Sequence, residues 1–182
     1  MLKSHPERYG AVIVTLHWLT AILILTLFIS GFSAVANAGS PDESLFLRIH
    51  VPVGITVLVL TVARLAWWWL ADRKPLPIAS VPRWQEGLAR AVHVTLYLIL
   101  FAMFGSGIAL MALSGAGAVL FGTGTLPDFT TLTPFTVHGG GAILLLLLLV
   151  LHSGAALYHH FIRHDGIFAR MWYSRDSSNV KR

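Results

Sequence analysis

The stretch FTVHGGGAILLLLLLVLHSGAALYHHF, residues 135–161, decides the fold. It is apolar for long enough to cross a hydrocarbon core of about 30 Å, which takes about 20 residues of helix. Two histidines interrupt it, His138 and His152, fourteen positions apart. Fourteen residues is close to four helical turns, so both rings leave one helix face, roughly 21 Å apart along the axis. An ionisable side chain inside a membrane span marks a functional site by default. Two on one face, near opposite leaflets, point to two cofactors stacked across a bilayer.

The rest of the chain extends this reading. Of 182 residues, 55% are hydrophobic and only 12% charged, far from the composition of a soluble domain. Three more segments are long enough to span, about 12–35, 51–70 and 88–113. The first does not read as a cleavable signal peptide, because it is too long and His17 and Trp18 interrupt its start. The predicted fold is all-α: a single domain, 1–182, built as an integral membrane four-helix bundle whose facing helices enclose cofactor sites. No internal repeat is evident. Cysteine is absent, which excludes a disulfide framework, thiolate metal sites and c-type haem attachment.

The net charge of +5 is distributed as a membrane protein distributes it, and does not read as nucleic-acid binding. Lys3 and Arg8 precede the first span. Arg73, Lys74, Arg83 and Arg90 lie around the second loop, and Arg163, Arg170, Arg175, Lys181 and Arg182 follow the fourth span. The first loop has Asp42 and Glu43 against Arg48, and the third has Asp128 and no Lys or Arg. The positive-inside rule then predicts cytoplasmic termini and second loop, with the first and third loops facing the periplasm or exterior. Pro75, Pro77 and Pro82 break the second loop. The third, about 114–134, mixes Gly, Thr, Pro and Phe and reads as a cap over the bundle, with Pro134 suited to start the last helix. Trp67, Trp68, Trp69 and Trp84 read as an interfacial aromatic belt. The polar tail 174–182 reads as mobile.

Nine histidines is a high count for so apolar a chain. His17, His93 and His152 fall at cytoplasmic depth, His50 and His138 at periplasmic depth, and His159 and His160 at the cytoplasmic exit of the last helix. A haem iron held by two imidazoles needs them at one depth on facing helices. On the periplasmic side His50 and His138 qualify; on the cytoplasmic side His152 pairs with His17 or His93, and depth does not choose. Burial favours the neutral imidazole that ligates haem iron. A histidine can instead hydrogen-bond a neighbouring helix or a lipid headgroup. Zinc fits less well, because each pair offers two nitrogens and no carboxylate or thiolate. Arg64 follows His50 by fourteen positions on the same face. It could pair with a haem propionate or a quinone oxygen, or snorkel to headgroups.

The ordered motifs LHW (16–18), RIHVPVGI around His50, VAR ending at Arg64, GLARAVH ending at His93, VHGG at His138, LHSGAALYHHF (151–161) and HDGIFARM (164–171) resemble the bacterial cytochrome b561 family of di-haem membrane proteins over nearly the whole chain. The superoxide oxidase type is the nearest resemblance. It implies two haem b groups as cofactors, one held by His17 and His152 toward the cytoplasm and one by His50 and His138 toward the periplasm. It also implies a ubiquinone site near His93 and His159, and oxidation of periplasmic superoxide with reduction of ubiquinone. The Gly- and Thr-rich third loop does not match the family pattern. The competing reading is a haem b electron-transfer and anchor subunit that passes electrons between quinone and a partner redox protein or dehydrogenase.

Overall fold

A computed structural model describes residues 1–78 and 81–173; the expectation for the tail 174–182 lies outside the described residues. The secondary structure among them is almost wholly helical: α1 (Ala11–Ala36), α2 (Pro41–Leu70), α3 (Arg83–Ser114), a short α4 (Ala116–Leu120) and α5 (Thr133–Tyr158). The last turn of α5 widens to the π form over His159–Arg163, and short 3-10 turns lie at Phe129–Thr131 and Phe168–Met171. Four helices are long and apolar enough to cross a membrane.

Two helices begin earlier than their apolar runs. Helix α2 starts at Pro41, ten residues before the apolar stretch, because proline suits a first helical position and Asp42 and Glu43 in the first turn complement the helix dipole. His50 therefore lies a full ten residues into a helix, and Pro52 is carried inside it. Helix α3 starts directly after Pro82. It ends at Gly115, whose φ of 67° is the left-handed conformation that glycine adopts without strain. The third loop is more ordered than its composition suggests: Ala116 and Leu120 of α4 are fully buried. Pro134 sits in the first turn of α5, as expected.

Helix α1 packs along α2 and α3 along α5, whereas the two hairpins approach each other closely at few points. At mid-bundle a buried cluster takes one residue from each of the four long helices: Ile24, Val57, Leu100 and Leu145. Large apolar side chains such as Leu25, Ile29, Val59, Leu98, Ile108, Leu147 and Leu151 are exposed on all sides. In water so wide an apolar surface would drive aggregation; in lipid it is the surface a spanning bundle needs.

The four core residues mark a register that composition conceals. Seven positions before them stand His17, His50, His93 and His138; seven positions after stand Gly31, Arg64, Gly107 and His152. Seven residues is nearly two turns, about 10 Å of rise. The bundle is thus three layers deep: His17, Arg64, His93 and His152 at one end, the aliphatic layer in the middle, and Gly31, His50, Gly107 and His138 at the other. Under this register α1 corresponds to α3, and α2 to α5. The two hairpins thus share one register in parallel orientation, a correspondence that the expectation of no internal repeat did not anticipate, because it appears only when the four helices are aligned on their core residues.

Candidate haem sites

At the layer containing His50 and His138, the two rings face each other across the gap between hairpins, with centres 6.0 Å apart and planes crossed at 72°. Serine hydroxyls of the adjoining helices bind each ring from behind. His50 Nδ1 lies 3.2 Å from Ser30 Oγ and 3.1 Å from the Leu27 carbonyl; His138 Nδ1 lies 3.0 Å from Ser106 Oγ. The glycines after those serines make room. A Cβ on Gly31 would stand 2.9 Å from His50 Cε1, and one on Gly107 would stand 3.3 Å from His138 Cε1.

At the opposite layer, His17 and His152 repeat the cross-gap geometry, with centres 6.3 Å apart and planes at 69°. His93 also meets His152, at 5.2 Å, but from within the same hairpin. Two imidazoles that share one metal, each bonded at about 2 Å, bring their ring centres to about 6 Å. The spacing of His50 to His138 and of His17 to His152 fits that demand, and the His93–His152 contact is too short for it. His93 Nδ1 instead donates to the Ala89 carbonyl at 2.6 Å.

Arg64 lies within this layer and does not snorkel to the helix end. Its Nη1 is 3.3 Å from His17 Nδ1, a contact in which only the guanidinium can donate. Among the described residues its Nε is buried without a partner, as is the hydroxyl of Thr20, one turn after His17 on α1. Buried polar atoms are rarely left unsatisfied, so the layer holds unused donors that suit an acceptor on a bound molecule. Tyr9 lies just beyond; burial pushes its phenol up, and the charges of Arg64 and Arg170 offset part of this.

Among the described residues, no cluster of three or more His, Asp or Glu side chains could hold a metal ion by itself. The donor set is two imidazoles per site, which suits an iron already carried in a macrocycle better than a bare divalent ion.

The end of the molecule bearing Arg64 also carries the N-terminal segment, the 71–82 loop and the segment after α5; we call it the basic end. Asp72 fastens it, accepting from Ser4 N at 2.9 Å, Ser4 Oγ at 2.8 Å and Trp67 Nε1 at 3.2 Å. Burial opposes ionisation of Asp72, but the hydrogen bonds from Ser4, Arg73 and Trp67 outweigh it and hold the carboxyl below its usual range. Trp18 Nε1 donates to the Met171 carbonyl and Arg170 to the Leu76 carbonyl. His159, in the π turn, donates from Nδ1 to Asp165 at 2.5 Å. Burial opposes Asp165 ionisation too, but the hydrogen bonds from His159 and Ile167 N, with the nearby positive charge of Arg163, together hold the carboxyl below its usual range. No hydrogen bond or ring contact among the described residues joins His159 to His93.

Sequence reasoning missed Ser30, Ser106, Asp72 and Asp165. For the serines a signal existed: Phe28-Ile29-Ser30-Gly31 and Phe104-Gly105-Ser106-Gly107 share the pattern F-x-S-G. Each serine follows a layer histidine, His17 or His93, by thirteen positions.

A model of the family described as prokaryotic cytochrome b561 matches residues 8–174. Cytochrome b561 homolog 2 of Escherichia coli (strain K12) is 31% identical over 179 residues, covering 91% of this chain and 92% of that protein. Cytochrome b561 homolog 1 of the same organism is 30% identical over 173 residues, covering 91% and 97%. A probable superoxide oxidase CybB of Yersinia pestis is 30% identical over 122 residues, covering 64% of this chain and 65% of that protein.

Proposed function

The chain belongs to the prokaryotic cytochrome b561 family of haem b membrane electron-transfer proteins, and from that premise we propose that it is a di-haem superoxide:ubiquinone oxidoreductase. Haem supplies one-electron chemistry when bound. His50 and His138 would hold one group, and His17 and His152 the other. The observation that carries this reading is the repeated cross-gap imidazole pair, 6.0 Å and 6.3 Å between ring centres. The positive-inside rule assigns the basic end to the cytoplasm.

What the chain's own residues do follows from their positions. The aliphatic layer of Ile24, Val57, Leu100 and Leu145 separates the two sites and excludes water between them. Arg64 has donors to spare. When His17 ligates through Nε2, its Nδ1 carries a proton and can no longer accept, so the guanidinium must turn to another acceptor. A carboxylate at the macrocycle's edge is the natural one. His93 and His159 at the basic end are assigned to ubiquinone, as proton-bearing contacts. The overall balance is that two superoxide anions each give up one electron and leave as dioxygen. One quinone accepts those two electrons and two protons and leaves as quinol. The likeness to a probable superoxide oxidase supports superoxide as donor.

The test is to add a superoxide source to purified protein in detergent, with and without a ubiquinone analogue, and record reduced-minus-oxidised spectra. Rapid haem reduction by superoxide, reversed by quinone, is expected. Two b-type haems that ignore superoxide but are reduced by an added dehydrogenase would establish the anchor-subunit reading instead.

A further inference from the structure

We propose that Ser30 and Ser106 are a matched pair of positioning residues that fix the His50 and His138 rings through Nδ1, making this iron site the lower in potential of the two. The inference rests on the haem assignments above. Its first support is the proton inventory. Ser30 Oγ donates to the Thr26 carbonyl at 2.8 Å and lies 3.3 Å from the Leu27 carbonyl. Ser106 Oγ donates to the Ala102 carbonyl at 2.8 Å and lies 3.1 Å from the Met103 carbonyl. Each hydroxyl has one proton, and these carbonyls take it. The serine oxygen can then only accept from the ring, so Nδ1 of each histidine is the N–H nitrogen and Nε2 keeps its lone pair. Both rings are thereby held in the one tautomer that ligates through Nε2.

A second support is burial and symmetry. Ser30 is 3% exposed and Ser106 8%; back-bonding alone does not require a buried serine, since Thr15 and Thr56 do the same on exposed surface. The two serines occupy equivalent positions in the two hairpins, each followed by the glycine that lets the ring approach.

A ligand histidine that donates its second N–H to an oxygen is a more basic ligand and is fixed in orientation. More electron donation favours the ferric state and lowers the potential. The basic-end pair is built differently. There Arg64, not a serine hydroxyl, is the neighbour of His17 Nδ1; once that nitrogen carries a proton the guanidinium turns to another acceptor but stays in the layer, and its positive charge favours the state carrying one more electron. The two sites are therefore unequal by construction, and the downhill direction runs from the serine-backed site toward the basic end.

The experiment is redox potentiometry with low-temperature EPR on purified holoprotein of wild type, Ser30→Ala, Ser106→Ala and Ser106→Thr. Each alanine variant should raise the midpoint of one and the same haem, by about the 59 mV that a tenfold change in a one-electron equilibrium represents. The other haem should be unmoved, and Ser106→Thr should restore the wild-type value. Ten- to hundredfold weaker retention of that one haem, restored by threonine, is the same result in another form. Unchanged potentials with both haems retained would overturn the proposal, as would equal shifts of both haems or alanine variants that act on different haems. A wild-type protein that binds fewer than two haems would instead remove the reading on which the proposal stands.

Discussion

Arg64 has one weak contact, to His17, and a buried Nε with no partner among the described residues. Its charge sits in the basic-end layer, where it should favour the reduced state of a haem held by His17 and His152. Replacing it with glutamine keeps the length and removes the charge. Arg64→Gln is expected to lower the midpoint of that haem by roughly 60 mV, a tenfold shift in its reduction equilibrium, and to leave the other haem alone. Potentiometry of the purified variant checks both halves. That the His50 and His138 rings face each other was legible from depth alone. The choice between His17 and His93 was not, because it depends on which helices form a hairpin and which face across the gap. Asp72 and Asp165 were hidden for a different reason: their partners come from segments far along the chain or beyond a helix end, where no periodicity operates.

The helices were legible from their apolar runs, but their starts were not, because Pro41 and Pro82 and the acidic first turn of α2 set them outside those runs. The spacing of fourteen was visible in α5, from His138 to His152, and in α2, from His50 to Arg64; the layer register was not, since it emerges only when four helices are aligned on their common core. That register gives glycine at positions 31 and 107 a specific task. Gly31→Ala would put a methyl 2.9 Å from His50 Cε1, so the ring must move. We expect ten- to hundredfold weaker haem retention at that site, the usual effect of disturbing a ligand's support, measured as haem lost on dilution or gel filtration. Gly105→Ala, on α3 two residues before Gly107 and with nothing within 4 Å of its added Cβ, should keep both haems and serves as the control.

For the whole molecule, the central feature is two helical hairpins in one parallel register that meet loosely and leave a gap lined by paired imidazoles. At mid-height Ile24, Val57, Leu100 and Leu145 close the bundle, with Leu23, Leu27, Phe28, Val53, Leu96 and Met103 packed against them. The most direct measurement is the haem-to-protein ratio by pyridine haemochrome, in wild type and in His138→Ala and His152→Ala. Two haems per chain in wild type and one in each variant, with the remaining haem spectroscopically different in the two variants, is the expected result. Two haems retained in His138→Ala, or the same haem remaining in both variants, would contradict the assignment of separate sites.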